Sequence, residues 1–410
     1  MTNPRPYHVV LYGASGFTGQ QTAQYFADRV DREQVRWAIA GRNRQKLERV
    51  KQTLAIPVDI LVADSQDQEG LDAIAEQTQV ILNTAGPFAL YGDGIVDACV
   101  RKQTHYVDIT GETPWVKSLI QRYHAKAAAE GTRIIPFCGF DSVPSDLGTY
   151  LLVRYMQQEL GVSCRQVKAY FQASGGLNGG TLASVTHLIK SGQSSQMADL
   201  FLLNPEDTTQ RLSQHCQDPQ WPQYDSDLGA WIAPFFMGPV NTRVVRRSSA
   251  LYDQWQDSYG SNFVYQEYVK AEGPWASLVA VGITLGTGLL GLALSQSWVW
   301  SVLQSRFPRP GEGPSAQVMD EGWFRCELLG VAEDGRIVHG LIQNQGDPGN
   351  RSTVKFLCES ALCLALQAEQ LPGQHRGGVL TPATGLGDVL AHRLQQAGTI
   401  IQLSSHNIEN

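Results

Sequence analysis

Tyr7–Gly19 reads YHVVLYGASGFTG, an apolar strand running into three glycines, Gly13, Gly16 and Gly19, that open a helix. At the carboxyl end of a parallel strand the chain must turn sharply and bring bare backbone amides to a pyrophosphate, and side chains at these positions would obstruct the approach. The helix expected over Gln20–Arg29 then aims unpaired N–H groups and the positive end of its dipole at the same point, where an anion belongs. The spacing is G-x-x-G-x-x-G, with Ala14 standing where the commonest G-x-G-x-x-G fingerprint has its first glycine, so the motif alone is a partial match. Its context strengthens it: Val9, Val10 and Leu11 precede it, an amphipathic helix follows, and a second strand at Val35–Ala40 lies at the distance a βαβ crossover requires. A nucleotide site built from Gly13, Ser15, Gly16, Phe17, Thr18 and Gly19 is the expectation, against a plain strand-to-helix turn.

The end of the second strand selects the cofactor. Where NAD is preferred, an Asp or Glu roughly twenty residues past the glycines binds the ribose 2′-hydroxyl. Here the chain has Gly41-Arg42-Asn43-Arg44, with Lys46 beyond. A guanidinium fork suits a 2′-phosphate that a carboxylate would repel, so Arg42 and Asn43 point to NADP(H) rather than NAD. The competing reading is a solvated basic helix start, which the helix dipole does not select.

At 410 residues the chain should hold two or three domains, and its formal net charge of -7, without a basic tract, argues against nucleic acid as a partner. Seven scattered cysteines contain no C-x-x-C pair, so neither a disulfide framework nor a metal site is expected. No basic-then-apolar leader precedes the first strand, and a cytoplasmic location is the expectation.

Beyond the second strand, strands and helices alternate as in a doubly wound Rossmann-type parallel sheet of the α/β class. Val58–Asp64, Val80–Asn83, Tyr106–Ile109 and Arg133–Phe137 read as strands; Leu71–Gln77, Gly94–Lys102 and Val116–Glu130 read as helices. Loops at the carboxyl ends of such strands line the ligand crevice. This assigns Ala85, Gly86 and Pro87 to the cofactor's ribose and nicotinamide. It also gathers Tyr91, Asp108, Glu112, Asp141, Ser142 and Ser145, with Asp146, as candidate catalytic groups, any of which would supply the proton that accompanies a hydride. Asp141 and Asp146 equally fit as caps of a helix starting near Leu147. His105 and His187 read as structural.

YGASGFTG, WAIAGRN, LNTAGPF, YVDITGE and GFDSVPSDLG resemble, in order and spacing, the saccharopine dehydrogenase-like oxidoreductases, most closely their trans-acting enoyl reductase branch. The likeness continues through Ser174–Ser184, APFFMGPVNTRVVRRSSAL at Ala233–Leu251, GEGPS at Gly311–Ser315, ESALCLAL at Glu359–Leu366 and GGVLTPATGLGD at Gly377–Asp388, nearly the whole chain. It implies a Rossmann-type domain over 1–150, a second α+β domain over 151–375 with a mixed or antiparallel sheet for substrate binding or dimerisation, and a return to the first domain over 376–410. It also implies a pyridine-nucleotide oxidoreductase, and for the branch reduction of a carbon–carbon double bond in lipid precursors. Saccharopine dehydrogenases proper act on an amino-acid-derived imine and need converging arginines. Arg243, Arg246 and Arg247 are available for that role, unless they form a solvated strand edge.

Between Glu272 and Arg306 there is no charged residue, and Trp275, Trp298 and Trp300 lie near the ends of this apolar stretch. A hydrophobic run of roughly twenty residues is long enough for a bilayer's hydrocarbon core, whose interfaces favour tryptophan. Within it, 275–304 reads as a monotopic membrane contact, with Gly282, Gly286, Gly288 and Gly291 allowing a helical hairpin, or else as a buried or dimer helix or a true span. Further on, Trp323–Gly330 and Arg336–Ile342 read as a β-hairpin across Asp334-Gly335, and Thr353–Gln370 as a core helix. The resulting expectation is an NADP(H)-dependent oxidoreductase, a homodimer, reducing an enoyl or carbonyl group of an apolar, lipid-like substrate at or near a membrane. The alternatives are a saccharopine-dehydrogenase-like imine oxidoreductase and a non-catalytic lipid- or membrane-associated nucleotide-binding protein.

Overall fold

The computed structural model describes residues 5–33, 35–176, 184, 192–206, 216–295 and 311–405. Strands β1 (Tyr7–Tyr12), β2 (Trp37–Gly41), β3 (Asp59–Val62), β4 (Thr78–Asn83), β5 (His105–Asp108) and β6 (Arg133–Ile135) alternate with helices α1 (Phe17–Glu33), α2 (Arg44–Thr53), α3 (Gln68–Glu76), α4 (Phe88–Tyr91), α5 (Asp93–Lys102) and α6 (Thr113–Glu130). Together with β13 (Gly378–Val379) these strands form one sheet in the order β13-β6-β5-β4-β1-β2-β3, with every pairing parallel. The strand order reverses between β1 and β4, which opens a crevice at their carboxyl ends.

Parallel strands covered on both faces read as continuous apolar runs, and Val9–Leu11 and Val80–Leu82 do so at no more than 1% exposure. Alternate residues face opposite ways. Val9, Leu11, Val80 and Leu82 pack with Ala23 and Phe26 of α1, while Val10, Ile81 and Tyr12 pack with Leu71, Ile74, Ile95 and Leu119 on the other side.

The second sheet contains β7 (Cys164–Ser174), β8 (Gln223–Asp225), β9 (Ala230–Pro234), β10 (Val264–Ala271), β11 (Trp323–Ala332), β12 (Ile337–Gln345) and β14 (Ile400–Ser404), ordered β14-β12-β11-β7-β10-β9-β8. It is mixed: β10 runs parallel to β7 and the other neighbours are antiparallel. The hairpin read from the sequence is β11–β12, and Gly335 at its turn has φ +90°, the left-handed region that favours glycine.

Helices α7 (Val143–Tyr155), α8 (Gly238–Gln254), α9 (Ala276–Ser295), α10 (Ala316–Glu321), α11 (Thr353–Leu366), α12 (Pro382–Gly385) and α13 (Gly387–Gln396) complete the described α-helices. α7 leaves β6 and lies against β11 and β12, whereas α11 comes back to cover β1, β4 and β5. One buried carboxylate pins this return. Glu359 on α11 accepts from Tyr25 OH (2.9 Å) and Arg29 Nε (2.9 Å) of α1 and from Arg393 Nε (2.8 Å) of α13.

α9 lies on β9 and β10, where Ala280 is buried against Ala233 and Ala271, with Ile283 beside it. Among its described side chains, Leu278 is 63%, Leu285 57% and Leu289 65% exposed. Among the described residues no helix is long and apolar enough to cross a membrane. The described side chains of α9 run unbroken from Ala276 to Leu289, which at 1.5 Å per residue is about 21 Å against roughly 30 Å of hydrocarbon. The second arm of the expected hairpin, with Trp298 and Trp300, lies outside the described residues, as does His187.

Candidate functional site

The glycine loop is built as its sequence requires. Gly13 has φ +89°, and its N–H, with that of Ala14, bonds to Ala40 O of β2 (2.9 and 3.2 Å). A Cβ on Gly19 would fall 2.2 Å from Gly13 O, and one on Gly13 would fall 2.7 Å from Ala85 N, so both positions exclude a side chain. After the turn bond from Gly16 N to Gly13 O, the first amide of the helix to find a backbone acceptor is that of Gln20, on Gly16 O (2.9 Å). Among the described residues the N–H groups of Ser15, Phe17, Thr18 and Gly19 therefore have no backbone partner and converge at the start of α1. Such a cradle fits the pyrophosphate of a dinucleotide.

At the end of β2, Arg42 is exposed and no carboxylate occurs from Gly41 through Lys46. Asn43 is already in use: its Oδ1 accepts from Lys46 N (3.0 Å) and caps α2. Arg42 leaves its guanidinium exposed at the carboxyl end of β2.

The loop after β4 is fixed from below and from the side. Asn83 Oδ1 accepts from Ala85 N (2.8 Å), while Asn83 Nδ2 donates to Tyr106 OH (2.9 Å), which donates in turn to Asp108 (2.8 Å). Asp108 also accepts from Thr110 N (2.9 Å), and burial pushes its carboxyl up to about 7. Gly86-Pro87 is a cis peptide. Glu112, 4% exposed, accepts from Phe88 N (2.9 Å), Ala89 N (3.0 Å) and Ser184 Oγ (2.8 Å), so its carboxylate seats the first turn of α4. Asp108 and Glu112 shape the crevice wall with their hydrogen bonds already made. Tyr91 stands on α4 at 37% exposure.

The loop after β6 carries the remaining candidates, and they differ sharply. Ser142 Oγ donates to Asn241 Oδ1 (2.9 Å) and Ser145 Oγ to Glu267 (2.8 Å). Asp146 accepts from Ala383 N (2.8 Å) and from Ser248 Oγ, tying α7 to α12 and α8. α7 begins at Val143 after Ser142, without a side-chain cap, so neither Asp141 nor Asp146 caps it. Asp141 alone among these acids has no hydrogen-bond or ion-pair partner among the described residues. It is only partly accessible, follows Phe140, and burial pushes its carboxyl up to about 6. Phe140 meets Phe171 edge-on at 6.0 Å and Phe324 at 4.7 Å, and Phe171 stacks on Phe235 at 4.5 Å, an aromatic wall that begins at the residue before Asp141. The wall continues through Phe236, 58% exposed, to Met237, whose Cε would lie 3.6 Å from a Cβ on Gly111 across the crevice.

Arg243, Arg246 and Arg247 lie on α8, not on a strand edge, and are at most 3% exposed. Arg243 reaches Met197 O (2.6 Å), Asp199 O (3.2 Å) and Asp218; Arg246 reaches Leu200 O (2.9 Å) and Cys216 O; Arg247 reaches Val379 O (2.5 Å) and Leu203 O. They organise the segments around α8 rather than facing solvent. Among the described residues no cluster of His, Cys, Asp and Glu is arranged to hold a metal ion. Of the Ser174–Ser184 motif, residues 177–183 lie outside the described residues.

Glu267 and Asn241 were not legible as site residues. Glu267 sits in VYQEYVKA, whose alternation reads simply as a strand, and it becomes notable only because its inward position is fully buried. A charged residue on the apolar phase of β10 was the one available signal.

A family model described as the saccharopine dehydrogenase NADP binding domain matches residues 9–135. A candidate trans-acting enoyl reductase of Mycobacterium tuberculosis is 36% identical over 97% of this chain and 98% of its own. The trans-acting enoyl reductase of Mycobacterium ulcerans is 34% identical over 97% of each. Among solved structures, apo saccharopine dehydrogenase (L-Glu forming) from Saccharomyces cerevisiae superposes with a TM-score of 0.53 at 11% identity, covering 97% of this chain and 99% of that one, a likeness of fold.

Proposed function

Because the chain belongs to the saccharopine dehydrogenase-like oxidoreductases, in their trans-acting enoyl reductase branch, we propose that it reduces the carbon–carbon double bond of an apolar, lipid-like enoyl substrate with NADPH, close to a membrane or lipid surface. It is an NAD(P)-dependent oxidoreductase with an NADP-binding domain; the substrate, the preference for NADPH and the place of action are the proposal. Bound in the cradle of Gly13–Gly19, NADPH supplies the hydride. The amides of Ser15 and Phe17–Gly19 hold its pyrophosphate, Arg42 takes the 2′-phosphate, and Ala85–Pro87 border the nicotinamide side.

Asp141 is the proton donor in this reading. Hydride addition at the β carbon of an enoyl group leaves an electron pair that must take a proton at the α carbon, and an unpartnered acid in an aromatic wall is suited to give it. The observation that favours the apolar substrate is the fate of the arginines: three guanidiniums that would clamp substrate carboxylates are buried on backbone carbonyls and Asp218. The side chain opposite Gly111 is instead Met237, close in sequence to β9, on which the charge-free α9 lies. Trp221 (75%), Tyr224 (57%) and Trp275 (69%) stand exposed on the same part of the chain, near an open groove of about 490 Å³ lined by Tyr224, Trp231 and Ala276. This favours a lipid surface over an amino-acid substrate.

The test is NADPH oxidation with a panel of trans-2-enoyl thioesters of increasing chain length, each compared with NADH and with keto and imine acceptors. Turnover rising with chain length and favouring NADPH supports the reading, and Arg42→Glu should reverse the nucleotide preference. Faster oxidation with an amino-acid-derived imine would replace it.

A further inference from the structure

We propose that Glu267, on the inward face of β10, is a positioning residue that holds the Asp141 loop in its working geometry through the hydrogen-bond chain Glu267–Asn241–Ser142. The inference rests on the reading of Asp141 as proton donor and adds a residue from the second sheet to that site. Glu267 is fully buried, and its two oxygens collect three donors: Asn241 Nδ2 on Oε1 (2.9 Å), and Ser145 Oγ and Tyr265 OH on Oε2 (each 2.8 Å). Asn241, turned by that bond, presents its Oδ1 to Ser142 Oγ at 2.9 Å. Ser142 is the residue after Asp141, and Ser145 lies three residues further, in the first turn of α7.

The other side of the loop is held by β5 of the first sheet and by α11. Cys138 N donates to Asp108 O (2.8 Å) and Phe140 N to Thr353 Oγ1 (3.1 Å). Asp141 is therefore suspended between two anchors, of which the Glu267 chain is the one that reaches in from β10 and α8. On the opposite wall, a Cβ on Gly238 would lie 3.8 Å from Glu267 Cγ and 3.9 Å from its Oε1, and Gly238 directly follows the Phe235–Met237 segment. One buried side chain thus sets the separation between the acid loop and the apolar wall that faces Gly111. A carboxylate with three converging donors is costly to bury, and replacing it with an apolar residue would orphan all three donors. A packing role alone would be served at less expense by the leucine or valine that neighbouring inward positions of the sheet carry.

The test is a double-mutant cycle on kcat, measured as NADPH oxidation with a trans-2-dodecenoyl thioester in detergent micelles, for Glu267→Gln, Asp141→Asn and the pair, with NADPH affinity followed by fluorescence. Displacement of an acid by a fraction of an ångström is expected to lower kcat about tenfold in Glu267→Gln while KM and NADPH affinity stay within about twofold. In the Asp141→Asn background the same substitution should cause no further fall. An unchanged kcat, or a full second tenfold loss in the double variant, overturns the positioning role and leaves Asp141 as donor. Full activity of Asp141→Asn, or no turnover by the wild type, overturns both. Should Glu267→Gln fail to fold, Tyr265→Phe, which removes one of the three donors, carries the same cycle with a smaller expected loss.

Discussion

At the scale of single residues the site is decided by which polar groups are already engaged. Asp108, Glu112, Ser142, Ser145 and Asp146 all stand at strand or helix ends around the crevice, yet each is held by named partners, whereas Asp141 has none among the described residues. The residue types were legible in the chain, because polar groups gather at the carboxyl ends of parallel strands. The partners were not, because Glu112 meets Ser184 and Asp146 meets Ala383 across long stretches of sequence. An unpartnered carboxyl raised by burial from 3.8 to about 6 also has a thermodynamic signature. Its folded-state pKa lies above the unfolded one, so the protonated acid's contribution to stability is full below pH 3.8 and is lost as pH rises through about 6. Asp141→Asn should consequently raise the melting temperature at pH 8, by a change worth about 3 kcal/mol at most, and leave it unchanged near pH 3.5. The same variant should lower the rate of reduction by about a hundredfold or more and abolish the fall in rate that the wild type shows as pH rises through about 6. Melting curves at both pH values and a pH–rate profile check the pair of effects, and a variant that is less stable at pH 8 speaks for a structural Asp141.

Among the elements, periodicity and glycine placement carried the first sheet and the β11–β12 hairpin, since those signals are local. α8 was harder: NTRVVRRSS alternates enough to suggest a strand, and only tertiary structure supplies the carbonyls that bury its three arginines. α11 read correctly as a core helix, but its core is that of the first sheet, and the contacts responsible join residues more than three hundred positions apart. Glu359 is the pin of that return, with two guanidiniums and a phenol on one buried carboxylate. Removing one partner of such a group leaves buried charge uncompensated, so Glu359→Ala should destabilise the protein by about 3–5 kcal/mol. Because α1 opens at the cofactor loop, NADPH should recover part of the lost melting temperature through binding to the folded state. Thermal melts with and without NADPH measure both, and a loss under about 1 kcal/mol would show that the pin is dispensable.

On the scale of the whole molecule, the two sheets share the chain: β13 joins the edge of the first and β14 the edge of the second. Gly111, in a loop of the first sheet, faces Met237 at the start of α8, and α9 lies on β9 and β10. Composition announced α9 as an apolar stretch. Whether a partner covers it is a matter of assembly that no local pattern encodes. If it rests on a lipid surface, Leu285→Asp with Leu289→Asp should abolish co-flotation with phospholipid vesicles while NADPH binding is unchanged; if a second copy covers it, the same pair should instead convert a dimer to a monomer. The central claim is the bond that receives the hydride. The direct measurement is mass spectrometry of the product formed from a trans-2-dodecenoyl thioester and NADPH deuterated at the transferring C4 position. The account predicts a saturated acyl product carrying one deuterium at its β carbon, formed far more slowly by Asp141→Asn. An acyl chain that stays unsaturated and unlabelled, alongside deuterium transfer to an imine or carbonyl carbon, would contradict it.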